Sequence, residues 1–134
     1  ERNDNLIISR NIFYRPSETV DPSFTYVGAT GTDLYQHMNW TEGRISQAGK
    51  NLFYQSNQTY SVMFQLSAKD RITLDQWRAQ YRLDKDSVSA DPHIVDPEKR
   101  DYTVNSGSPA LALGFVNIDQ SKLGLLPDFP FSRD

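Results

Sequence analysis

The sequence contains no cysteine and only two histidines, His37 and His93. Disulfide frameworks, thiolate zinc sites and cysteine nucleophiles are thereby excluded, and little remains for a histidine-based metal centre. Basic excess is missing too: 14 Lys+Arg stand against 17 Asp+Glu, a net charge of −3. With no Lys/Arg cluster either, the chain lacks the electrostatic footprint of a nucleic-acid binder. No apolar run approaches the roughly 20 residues of a membrane-spanning helix. Gly-rich phosphate loops, a nucleophile elbow and an HExxH sequence are absent as well. What the 134 residues do hold is aromatic mass, with seven Phe, seven Tyr and two Trp. That suffices for the packed core of one domain, or of part of one. The chain opens on Glu1 rather than Met, and is expected to be a processed product or a piece of a longer protein.

Strand signals come first. Leu6-Ile7-Ile8, a polar break at Ser9-Arg10-Asn11, then Ile12-Phe13-Tyr14 read as two short strands around a bend, closed by Pro16. Arg10-Asn11-Ile12-Phe13-Tyr14 returns forty residues later as Lys50-Asn51-Leu52-Phe53-Tyr54, and Thr19 returns as Thr59 in the same register. Such recurrence predicts one supersecondary unit used twice, with Asn in the tight bend and apolar residues entering the core. If the units stack, the repeated Asn can form a side-chain ladder. Forty residues exceed one compact turn of such a stack, so about 21–49 is expected to include a long loop or a less regular coil.

Within that stretch lie Phe24, Tyr26, Asp33, Tyr35, His37, Asn39, Trp40 and Glu42, with Gly28 and Gly31 between them. Aromatic and polar side chains on a loop point to binding, or to a loop folded back on the body of the protein. After a further strand at Ser61-Val62-Met63-Phe64, Thr73-Leu74-Asp75-Gln76 forms a capping-box pattern, with Ile72 and Trp77 placed as its hydrophobic staple. Leu74, Trp77 and Tyr81 then share one face of a short amphipathic helix ending near Leu83. Downstream, two Asp-Pro steps, Tyr102-Thr103-Val104, and Ser108-Pro109 opening a single helical turn stopped by Gly114 complete the chain.

The order of these motifs over residues 50–125 resembles the C-terminal end of right-handed parallel β-helix proteins with a pectin-lyase-like fold. It is most similar to the secreted bacterial polysaccharide-degrading group that includes glycoside hydrolases. Its carriers are Asn51-Leu52-Phe53-Tyr54, Leu74-Asp75-Gln76-Trp77, Leu83-Asp84-Lys85-Asp86-Ser87, Ala90-Asp91-Pro92-His93-Ile94-Val95-Asp96-Pro97, Tyr102-Thr103-Val104, Ser106-Gly107-Ser108-Pro109-Ala110 and Gly114-Phe115. The resemblance implies an all-β fold: the last coils of a right-handed parallel β-helix over 1–66, and over 67–134 a short amphipathic helix and an irregular C-terminal cap. It implies the C-terminal part of a carbohydrate-active enzyme, a glycoside hydrolase acting on a polysaccharide, with catalytic residues mainly on upstream coils outside this chain. The partners would be a polysaccharide or oligosaccharide and the N-terminal remainder of the same β-helix, in a secreted, periplasmic or cell-surface setting. A non-catalytic carbohydrate-binding or capping module, or a lyase of the same fold, is the alternative.

Glycoside hydrolysis uses paired carboxylates, and the many Asp and Glu here leave the pair unselected by spacing. Asp33, Glu42 and His37 are the catalytic candidates, because they share the aromatic stretch in which a sugar face could stack on Trp40 or Tyr35, with Asn39 beside them. A packing role for these aromatics is the competing expectation. Trp40→Ala separates the two: weaker saccharide binding with little change in melting temperature on the first, lost stability with unchanged binding on the second. Asp91 and Asp96 precede proline and suit turn chemistry. Asp84 and Asp86 read as turn residues or as oxygen ligands for Ca²⁺, off the EF-hand pattern; no cofactor or other metal is expected. Trp77 reads as core from its staple position, with a sugar platform as the alternative. Asn39-Trp40-Thr41 and Asn57-Gln58-Thr59 match the glycosylation sequon, which matters only in a eukaryotic source.

Overall fold

The computed structural model describes residues 5–16, 33–37, 40–56, 58–64 and 70–119. They are mostly strand with few helices, an all-β chain. Three strands, β1 (Leu6–Ser9), β2 (Ile12–Arg15) and β3 (Asp33–His37), are followed by β4 (Ile45–Gly49), β5 (Leu52–Gln55) and β6 (Ser61–Phe64). Each of the first three pairs in parallel with its counterpart in the second three. The forty-residue recurrence is the register itself: Ile12 lies opposite Leu52, Phe13 opposite Phe53 and Tyr14 opposite Tyr54.

The bend between consecutive strands, β1 to β2 and again β4 to β5, has one feature the sequence did not reveal. The left-handed residue is the basic one before Asn, Arg10 at φ 57° and Lys50 at φ 54°. Asn is needed instead for its carboxamide, which reaches the neighbouring rung. Asn51 Oδ1 accepts from the Asn11 backbone N–H (3.0 Å) and from Asn11 Nδ2 (3.2 Å). Asn51 Nδ2 donates to the Ile8 carbonyl at 3.1 Å and to Asp84 Oδ1 at 2.9 Å. The expected ladder therefore exists, and Asp84 and Ser87 take over where a third Asn would stand.

Beyond β6 the parallel order changes. β7 (Arg71–Thr73) turns back antiparallel on β6, making that sheet mixed, and leads directly into α1 (Leu74–Tyr81). The capping box forms as read: Gln76 N–H donates to Thr73 Oγ1 (3.2 Å) and the Thr73 N–H to Gln76 Oε1 (2.9 Å). Arg82 at φ 59° ends the helix. The short β8 (Val88–Ser89) adds to β5 in parallel. β9 (Ile94–Asp96) and β10 (Asp101–Val104) form an antiparallel pair around a 3₁₀ turn at Pro97–Lys99, and α2 (Pro109–Ala112) follows. The Asp before Pro97 caps that turn, accepting the Lys99 N–H, and Asp91 accepts the His93 N–H, so both Asp-Pro steps carry turn chemistry.

Side chains alternate across a strand, so Phe53 and Leu52 face opposite sides of β5, yet both are fully buried. The Phe53 side joins Tyr35, Val62, Leu74 and Trp77 in one core. Complete burial of a side chain the size of Phe contributes about 2–3 kcal/mol.

Candidate functional site

The stretch over about 21–49 is not simply a loop: it contains β3 and β4, and residues 17–32 and 38–39 lie outside the described residues. Placing 33–37 in a strand fixes the direction of its side chains. Tyr35 and His37 alternate with Leu34 and turn to the core, where they meet the Trp77 face of α1. Ring centroids lie 5.9 Å apart for Tyr35 and Trp77, and 5.8 Å for His37 and Trp77. Trp40 packs on His37 at 4.7 Å, on Tyr81 at 5.3 Å and on Trp77 at 5.4 Å. Tyr35, His37 and Trp40 thus form part of the core wall, Phe24 and Tyr26 lie outside the described residues, and Trp77 itself is fully buried.

Asp33 sits at the start of β3 with its carboxylate engaged on both oxygens. Arg71 Nε donates to Oδ1 at 2.7 Å and Nη2 to Oδ2 at 2.9 Å, while Ser61 Oγ donates to Oδ1 at 2.7 Å. This bidentate pair pins β7 across β6 to β3 and, through its hydrogen bonds, raises the Arg71 pKa above its ordinary value. Glu42 is exposed in the turn before β4. His37 is half-buried, its Nε2 lies inside without a hydrogen-bond partner, and burial, then the Arg44 charge, lowers its pKa. Asn39 lies outside the described residues.

A second polar centre lies deeper. Asp84 is fully buried, and its carboxylate accepts from Asn51 Nδ2, from Ser87 Oγ at 2.7 Å and from Trp77 Nε1 at 3.1 Å. The Tyr35 hydroxyl is near enough to feel that charge but outside hydrogen-bond geometry; burial, then the Asp84 charge, drives its pKa far above the ordinary phenol value. Asp86 uses Oδ1 to accept the Lys50 N–H. Of the two acids expected as turn residues or calcium ligands, Asp84 is thus enclosed among internal donors, while Asp86 is exposed and holds the Lys50 backbone through one oxygen. Among the described residues no group of three His, Cys, Asp or Glu is disposed to hold a metal ion.

Beside Trp40 lies an open cleft of about 510 Å³. Trp40, Phe64 and Tyr81 supply rings, and Asp70, Arg71 and Gln80 supply polar groups. Of these, only Trp40 was a sequence candidate for ligand contact. Gln80 carried no signal, because an exposed glutamine on a helix is ordinary. Asp70 and Arg71 gain meaning only once β7 folds back on β6. No protein family, curated protein or solved structure matches the chain.

Proposed function

We propose that the chain is the C-terminal part of a carbohydrate-active parallel β-helix protein, a glycoside hydrolase acting on a polysaccharide. In this reading β1–β3 and β4–β6 are successive coils. The catalytic carboxylates lie mainly on further coils stacked against β1–β3, and the cleft at Trp40 holds part of the glycan. The observation that carries the sugar reading is the lining of that cleft: aromatic rings set beside an acid and an amide, with Arg71 at its edge held on Asp33. A pyranose presents an apolar face that suits a ring and an equatorial rim of hydroxyls that suits such planar polar groups. The β-helix reading is supported by three parallel pairings in the same strand order, tied by the Asn ladder. Secretion, or a periplasmic or cell-surface location, follows from the same reading, since that is where polysaccharide is met.

A non-catalytic binding or capping module is the second reading. It is favoured by one observation: the carboxylates of Asp33 and Asp84 are committed to internal hydrogen-bond partners, and neither lines the cleft. A lyase of the same fold shares the cleft argument.

Affinity electrophoresis in gels containing xylan, mixed-linkage glucan or polygalacturonate tests the proposal. Retardation by one of them, reduced by Gln80→Ala and Asp70→Ala with unchanged melting temperature, is the expected result. Equal migration in all gels would remove the sugar reading. Release of reducing ends by a longer protein containing this chain distinguishes the hydrolase from the binding module. Trp40→Ala is the wrong probe, because its packing on four rings predicts lost stability alongside any lost binding.

A further inference from the structure

The polar groups around the cleft at Trp40 differ in what they have left to offer a ligand. Arg71 is the one cation among the described residues that line it. Its Nε and Nη2 donate to the Asp33 carboxylate at 2.7 and 2.9 Å, and the Asp33 side chain is shut off from water, so this pair cancels its own charge. Gln80 spends an amide hydrogen on the Tyr81 hydroxyl at 3.1 Å, which leaves its carbonyl oxygen open. Asp70 is exposed, and among the described residues it has no hydrogen-bond or ion-pair partner. The cation is thus engaged, while the anion and an amide oxygen are not.

The rings add the same preference. Trp40, Phe64 and Tyr81 border the cleft and pack on one another, with centroids 5.6 Å apart for Trp40 and Phe64, 5.3 Å for Trp40 and Tyr81, and 5.9 Å for Phe64 and Tyr81. Each is also backed by the buried Trp77, at 5.4, 6.2 and 4.9 Å in that order, so the platform is fixed before any ligand arrives. An aromatic face is negative, and a cation within about 6 Å of the ring centroid is attracted to it. A carboxylate, an amide oxygen and aromatic rings all favour a group that is positive and only donates hydrogen bonds. An ammonium is such a group, whereas a hydroxyl also needs donors and a second carboxylate would meet the charge of Asp70.

Resting on the sugar reading of this cleft, we infer that it takes a cationic glycan, a hexosamine polymer whose pyranose rings bear protonated amines. The amine sits among Asp70, the Gln80 carbonyl and the rings. An N-acetyl group lacks the charge, and a uronate has the wrong sign. Of the polysaccharides named above, the neutral ones are then the weaker ligands, and polygalacturonate should not retard the chain. The openness of the cleft suits a polymer, which has to leave it at both ends.

Calorimetric titration of the full chain with glucosamine hexamer tests the inference, in mildly acidic buffer where the amines are protonated. The N-acetylated hexamer and cellohexaose serve as neutral counterparts, and hexalysine as a cation without a sugar. Saturable one-to-one binding of glucosamine hexamer is expected, about fivefold tighter than either neutral hexamer, the scale of an exposed ion pair. Asp70→Asn, on an exposed residue, should abolish that margin at unchanged melting temperature, and Asp70→Glu should keep most of it. Equal affinity for the three sugars, or a margin that survives in folded Asp70→Asn, overturns the cationic preference and leaves the sugar reading standing. Hexalysine binding as tightly as glucosamine hexamer, with no binding of the neutral sugars, overturns the glycan as ligand. No binding of any hexamer overturns both.

Discussion

The two rungs that carry the repeat have nearly the same sequence and very different weight. Asn11, Ile12 and Phe13 are exposed or half-buried, whereas Asn51, Leu52 and Phe53 are wholly buried. Local geometry is shared, down to the left-handed basic residue before each Asn. The difference comes from neighbours. Among the described residues β2 has only β5 beside it, while β5 lies between β2 and β8. An identical side chain is therefore wholly enclosed in one rung and only partly covered, at the edge of the core, in the other. Energy attaches to the place in the stack rather than to the motif.

The strongest way to break this comparison is to truncate the paired rings. Phe53→Ala should cost about 3–5 kcal/mol in urea unfolding, and Phe13→Ala about half as much. Equal losses would mean that the upper rung is covered as fully as the lower. Next come the asparagines. Asn51→Ala leaves Asp84, the Asn11 N–H and the Ile8 carbonyl each short of a partner, a loss of about 2–4 kcal/mol. Asn11→Ala removes bonds from an exposed group and should cost about 1 kcal/mol or less.

A third pair sharpens the comparison from the backbone side. Gly49 and Ser9 are partners across the β1–β4 register, yet only the second tolerates a side chain. A Cβ on Gly49 would run into Asp86 Oδ1, the atom that accepts the Lys50 N–H. Gly49→Ala should therefore cost about 1–3 kcal/mol by overpacking, while Ser9→Ala changes the melting temperature little.

The smallest effect is a pH response. His37 is held among Trp40, Phe64, Trp77 and Tyr35 with its pKa lowered by burial, so the folded state takes up a proton less readily than the unfolded chain. Stability is then complete above the unfolded value near 6.5 and declines as pH falls through the window down to the lowered folded value. Melting temperature should fall over that range, and His37→Phe should flatten the fall. An unchanged slope in that variant would assign the acid loss to carboxylates instead.

Residues that act on their sequence neighbours were legible beforehand. The capping box at Thr73 and Gln76, the staple that places Trp77 in the core, the Ser108-Pro109 helix start and the two Asp-Pro turns all depend on groups within five positions of one another. The Asn ladder was legible because recurrence at a fixed spacing records pairing. The aromatic stretch was harder to read. Its composition fits a binding loop and a core wall equally well, and β3 chooses the wall for Tyr35 and His37. Asp33 looked available because Arg71, its partner, is 38 positions away.

Strand bias, the repeat, the bend and the helix start are written in local residue order, since each follows from short-range sterics, capping and periodicity. The tertiary structure decided which copy of the repeat is buried, which acids are spent on internal partners and where cavities remain open. Those outcomes depend on contacts between segments far apart in the chain, and burial of a group is a property of everything around it.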